Sequence, residues 1–116
     1  MVNTQSVYDI EYVFGEFGDS YNIGIKNDDG SNADISAFDG AQMTVSKMDD
    51  AVLFTQTTDD DLTITSPNVV WAMSEADTSA SDYDGKIKVQ IELTTSTTKK
   101  RMTKIFYGFI YKNQVP

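Results

Sequence analysis

The amino-acid sequence predicts an all-β fold, an antiparallel two-sheet β-sandwich of about eight short strands with one short helical turn. Three observations predict it. Hydrophobicity alternates with period two along most of the chain, as in strands with one buried and one solvated face. These runs recur every ~10–14 residues between clusters of Gly, Asp, Asn and Ser, a spacing typical of sandwiches and barrels. Only one brief stretch has helical character, which argues against βαβ units. The strand pattern suits an immunoglobulin-like or jelly-roll-like sandwich. The 116 residues match the size of one domain, so residues 1–116 read as a single unit, with residues 1–6 as a flexible or partner-bound arm.

The first strand is Tyr8 to Phe14, with Tyr8, Ile10, Tyr12 and Phe14 on one face and Asp9 and Glu11 on the other. Gly15 to Asp19 is a turn, and Tyr21 to Ile25 alternates again. Asn27-Asp28-Asp29-Gly30-Ser31-Asn32 is a second turn, in which Gly30 can take positive φ without steric cost. Residues 33–40 form an irregular lead-in. The next strand lines its inner face with Met43, Val45 and the stem of Lys47. Asp49-Asp50 turns it into Val52 to Gln56, and Asp59-Asp60-Asp61 turns that into the short strand Leu62 to Ile64.

Ser66-Pro67-Asn68 leads into Val69 to Met73, where Val69, Trp71 and Met73 share a face. Ser74 to Thr78 is the helical turn, with Ser74 as N-cap and Asp77 three residues on. The best-patterned strand follows Gly85: Ile87, Val89, Ile91 and Leu93 point inward, Lys86, Lys88, Gln90 and Glu92 outward. Thr94 to Lys100 reads as a polar loop. Met102 to Tyr111 reads as one last strand, apolar on both faces, as expected of a strand central in its sheet or covered by a partner.

Composition excludes several function classes. Without cysteine there is no disulfide and no thiolate metal site. Without histidine the usual general base near neutral pH is missing. A net charge of −9 repels phosphate backbones and anionic membranes, so neither nucleic acid nor membrane is an expected partner. No apolar run is long enough to span a bilayer, and residues 1–6 carry no secretion signal.

The aspartate clusters at Asp28-Asp29-Gly30, Asp59-Asp60-Asp61 and Asp82 with Asp84-Gly85 lack the spacing of a calcium loop and read as turn chemistry. No carboxylate pair is singled out for glycoside hydrolysis. Ser46 and Lys47 are neighbours in a strand and face opposite ways, so they form no dyad. Trp71 reads as core. No catalytic, cofactor or metal-binding residue is expected. Lys99, Lys100, Arg101 and Lys104 gather four of the nine basic residues in one stretch, the candidate contact for an acidic partner surface. Tyr107, Phe109 and Tyr111 form an aromatic row that reads equally as core or as interface.

From Gly15 onward, the features come in a particular order. Gly18-Asp19 is followed by a strand, by Asp29-Gly30 and by Ala33-Asp34-Ile35-Ser36. Later come Val69 to Thr78 and Tyr83-Asp84-Gly85-Lys86 ahead of the long strand. This order resembles the small β-sandwich modules of tailed-phage virions, in particular the N-terminal domain of the baseplate upper protein family. The resemblance covers most of the chain in short motifs. It implies a non-enzymatic structural protein, a capsid decoration or a tail or baseplate adaptor. Such a protein is made in the host cytoplasm, located in the virion and docked on other capsid, tail or baseplate proteins, with self-association left open. The alternative is a carbohydrate- or ligand-binding sandwich module, to which exposed aromatics and the aspartate loops would point.

Overall fold

The computed structural model describes residues 10–79, 83–95, 100–103 and 105–112. Nine strands and one short helix follow in chain order. They are β1 (Ile10–Val13), β2 (Ser20–Gly24), β3 (Gly40–Lys47), β4 (Val52–Thr57), β5 (Leu62–Thr65), β6 (Asn68–Ala72), α1 (Glu75–Thr78), β7 (Gly85–Thr94), β8 (Lys100–Met102) and β9 (Phe106–Tyr111). The fold is mostly β, as expected. A six-stranded sheet runs β1-β9-β7-β3-β4, with β8 also paired to β7, and a three-stranded sheet runs β2-β6-β5.

The predicted alternation is what packs the two sheets. β7 buries Ile87, Val89, Ile91 and Leu93 completely, and β3 buries Met43 and Val45 beside them. The small sheet contributes Ile23, Val69, Trp71 and Leu62. Trp71 is a core residue, as its place beside Val69 and Met73 predicts. Phe54 stacks on its ring at 5.5 Å and Tyr12 meets it edge-on at 5.5 Å, the two arrangements that the ring quadrupole favours. Ala33, Ile35 and Phe38 of the irregular lead-in are buried as well.

Three expectations need correction. The sheets are not wholly antiparallel: β1 pairs with β9 in parallel, Ile10 opposite Gly108 and Val13 opposite Tyr111. Alternation reports which face a residue takes, not which way its strand runs, so it could not show this. The predicted strand Met102 to Tyr111 is interrupted, which gives nine strands among the described residues. Between the pairs Glu92↔Met102 and Val89↔Phe106 β7 has two residues and the returning chain three, the count of a β-bulge. At this bulge Thr103 N–H donates to the Ile91 carbonyl at 2.9 Å, and Ile91 N–H donates to Thr103 Oγ1 at 3.0 Å. Finally, Lys100 and Arg101 are not loop residues. They pair with Thr94 and Leu93 of β7.

The residues ahead of Ile10, including Tyr8 and the arm 1–6, and Asp82 lie outside the described residues.

Candidate docking surface

The candidate surface begins with the bulge. A slip of one residue exchanges the two faces of a strand. Met102 pairs with outward-facing Glu92, whereas Phe106 pairs with inward-facing Val89, so the parity of the chain changes between them. Downstream of the change, Phe106, Gly108 and Ile110 face the core. Ile105, Tyr107, Phe109 and Tyr111 carry the opposite parity, and Ile105, Tyr107 and Tyr111 are exposed. The aromatic row, open between core and interface from the sequence, therefore lies on the outer face of the six-stranded sheet.

β9 is held between β1 and β7, so the row stands on a rigid base. Gly108 lets β1 approach it: a Cβ there would lie 2.3 Å from Ile10 Cγ2 and 2.5 Å from the Ile10 carbonyl oxygen. Tyr107 is 41% and Tyr111 43% exposed, and Val13 beside Tyr111 is 40% exposed. The Phe109 and Tyr111 rings meet at 4.8 Å.

Charges of both signs border the row, with Glu11 of β1 opposite Phe109. The Lys86 ammonium lies 4.8 Å from the centre of the Tyr107 ring, in reach of a cation–π attraction. Lys88 pairs with Asp50 of the β3–β4 turn. Lys100 Nζ lies 3.5 Å from Glu92 Oε2, a loose surface pair of small energetic weight. Arg101 is exposed but pairs with inward-facing Leu93, so it stands on the other face of the sheet. Of the residues singled out from the sequence, Tyr107, Phe109 and Tyr111 thus come together on β9, whereas Lys100 and Arg101 lie on β8, at the other end of β7. Lys99 and Lys104 lie outside the described residues.

A second feature lies elsewhere. A cleft of about 400 Å³ is lined by Ser36, Phe38, Asp39, Thr58, Thr63, Ile64 and Ser66. Asp34, at its margin, accepts hydrogen bonds from the Ser36 hydroxyl at 2.6 Å and Ser36 N–H at 3.0 Å. These two bonds hold its carboxyl below the usual carboxylate range.

The third feature is a buried polar network that the sequence reading missed. Asp77 of α1 turns its carboxylate inward, where Trp71 Nε1 donates to Oδ2 at 3.2 Å and Gln56 Nε2 donates to both oxygens. Gln56 is 6% and Asp77 8% exposed. Gln56 Oε1 accepts from Asp61 N–H at 3.2 Å. Burial pushes the Asp61 carboxyl above its ordinary value, with the Asp60 and Asp77 charges adding to it. Burial likewise pushes the Tyr12 phenol well up, again helped by Asp77. None of these groups lines the cleft. The network ties α1 to the core and offers no access to a substrate. One signal was available for it: Gln56 sits two residues from Phe54, on the inward parity of β4.

The Asp28-Asp29-Gly30 and Asp59-Asp60-Asp61 segments are turns, as read from the sequence. Asp29 Oδ1 accepts from Ser31 N–H and Oγ. Among the described residues no group of three or more acidic side chains is arranged to hold a metal ion.

No protein-family model matches this chain, and no curated protein is significantly similar to it. Among solved structures it is similar to Drosophila OTK, extracellular domains 3-5, at 13% sequence identity and a TM-score of 0.31. The match covers 91% of this chain and spans 32% of that one. At that level the likeness carries neither fold nor function to this protein.

Proposed function

We propose that this protein is a non-enzymatic docking module that binds a partner protein through the outer face of its six-stranded sheet. The observation that carries the reading is the aromatic row Tyr107, Phe109 and Tyr111, held on β9 between β1 and β7, with the Lys86 ammonium over the Tyr107 ring and Lys88 opposite Tyr107. Aromatic anchors on a rigid base dominate protein interfaces, and rim charges raise association rate and fix register. The resemblance to phage baseplate modules supports a virion as the setting, with the protein as a capsid decoration or a tail or baseplate adaptor.

The test is occupancy on purified virions stripped of the native protein. Tyr107→Ser with Tyr111→Ser should cut occupancy at least about tenfold, the equivalent of one lost anchor. Replacing Lys99, Lys100 and Arg101 together by Ser should weaken binding mainly at low salt, where exposed charges are least screened. Full occupancy by both variants would overturn the reading.

A carbohydrate-binding module is the second reading, favoured by the same exposed rings, because saccharides also stack on aromatic faces. A glycan array decides it: binding that falls with Tyr107→Ser, in the absence of virion binding, would replace the first reading by the second.

A further inference from the structure

We propose that the free edge of β4 takes up an extended segment of a partner protein, basic at its N-terminal end, as a further antiparallel strand of the six-stranded sheet. β4 lies at the opposite side of that sheet from β9 and β1, so this surface is separate from the aromatic row.

The sheet ends on β1 at one side and on β4 at the other, and the two edges differ. On β1 the donors that face away from β9 belong to Glu11 and Val13. Glu11 N–H donates to the Tyr21 hydroxyl at 3.1 Å, and Val13 N–H donates to Glu16 Oε1 at 3.0 Å. The Val13 carbonyl accepts from Glu16 N–H. Side chains and a turn thus occupy that edge.

On β4, Gln56 and Phe54 lie opposite Met43 and Val45, and Thr58 N–H just beyond donates to the Ala41 carbonyl. Hydrogen-bonded pairs alternate along an antiparallel ladder. The peptide groups of Phe54, Gln56 and Thr58 therefore turn to β3, and those of Thr55 and Thr57 turn outward. The Thr57 carbonyl accepts from Asp60 N–H. Among the described residues, nothing meets the Thr55 N–H, the Thr55 carbonyl or the Thr57 N–H, and Thr55 is exposed. Edges of this kind are commonly blunted by a charge or a proline, and Val52–Thr57 carries neither.

Charge names the partner. Asp49 and Asp50 precede β4, and Asp59, Asp60 and Asp61 follow it, with no Lys or Arg between Lys47 and Lys86. Asp50 is paired with Lys88, and Asp61 is joined to Gln56. Asp59 and Asp60 are exposed, so the end of β4 at Thr57 is the more negative one. An antiparallel strand brings its own N-terminal end there, where Lys or Arg would be attracted. A second copy fits badly. Two-fold pairing of β4 about Thr55 would set Asp60 and Asp61 of each copy against Asp50 and Asp49 of the other, and like charges set opposite one another destabilise a sheet.

Amide hydrogen exchange of the full chain tests the proposal, with a blocked ten-residue probe peptide of two Lys followed by alternating Thr and Val. At saturation in low salt, exchange at Thr55 and Thr57 should slow at least about tenfold, with the β1 amides unchanged. A probe with two Glu in place of the two Lys should bind at least about tenfold more weakly. Thr55→Pro removes only a donor that faces away from β3, so the β-type circular dichroism spectrum should persist while binding is lost. Should that variant fail to fold, Asp59→Asn with Asp60→Asn takes its place and should weaken binding of the Lys probe at least about fivefold. Tyr107→Ser with Tyr111→Ser should bind the probe as wild type does, which separates this edge from the aromatic face.

Unchanged exchange at Thr55 and Thr57 with about millimolar probe would overturn the proposal. So would binding that survives Thr55→Pro, or a Glu probe bound as tightly as the Lys probe. Protection of the same amides that rises with the concentration of the chain alone would give the edge to a second copy instead.

Discussion

Gln56 on β4 and Asp77 on α1 form a buried amide–carboxylate pair, with Gln56 Nε2 2.9 Å from one carboxylate oxygen and 2.7 Å from the other. The two residues are 21 positions apart. Their contact fastens the helix, which no sequence pattern assigns to either sheet, to the six-stranded one. Trp71, the sole tryptophan, donates to the same carboxylate.

Asp77→Ala should therefore cost about 3 kcal/mol, since it leaves the Gln56 amide and the Trp71 indole N–H buried without their acceptor. Asp77→Asn, which keeps one acceptor oxygen, should cost less. The urea midpoint measures both, and tryptophan fluorescence reports the change at Trp71 directly. An Asp77→Ala midpoint equal to wild type would mean that the network adds nothing to stability.

Stability should fall at high pH through Tyr12. Its folded phenol is raised above the ordinary value, by burial first and by Asp77 second, so the folded state holds its proton after the unfolded state has released it. That contribution is intact below the unfolded value of about 10 and is lost as pH rises past it. Urea denaturation from pH 8 upward should show a steeper decline for wild type than for Tyr12→Phe. Equal slopes would clear Tyr12 of the effect.

Gly108→Ala should destabilise by about 1–3 kcal/mol through overpacking. The added methyl meets Ile10 Cγ2, which can turn aside, and the Ile10 carbonyl oxygen, which cannot without moving β1. Hydrogen exchange should accelerate most at the amides joining β1 to β9. Combining the change with Ile10→Ala removes the first clash but not the second, so it should not restore that protection.

Val89→Ala should cost about 1–3 kcal/mol by leaving a cavity at a fully buried site. A denaturant midpoint within error of wild type would contradict the packing of β7 against the small sheet.

Much of this fold can be read from the sequence because burial follows parity. Ile87 to Leu93, Val69 with Trp71 and Met73, and the Ser74 cap, whose Oγ accepts from Asp77 N–H at 3.2 Å, all lie where local pattern puts them. What could not be read depends on pairing between distant residues. The parallel pairing of β1 needs β9, and the bulge at Thr103 needs Gln90 and Ile91 opposite it. The orientation of Tyr107, Phe109 and Tyr111 hangs on that one extra residue, since a strand apolar on both faces shows no preferred side. The inward turn of Asp77 needs Trp71 and Gln56, and an aspartate in the first turn of a helix is otherwise unremarked, because it complements the helix terminus. The basic stretch Lys99 to Lys104 was visible in the sequence, whereas Lys86 and Lys88 come beside the aromatic row only through the pairing of β7 with β9.

The pairing of Ile10 with Gly108 also bears on how the protein is made. Among the described residues β1 pairs in a sheet only with β9, so during synthesis β1, with Ile10 and Tyr12, waits unpaired until β9 has left the ribosome. Closing so long a loop is slow compared with local pairing. In the interval the nascent chain exposes both an apolar strand and an open sheet edge, the combination that recruits chaperones or neighbouring chains.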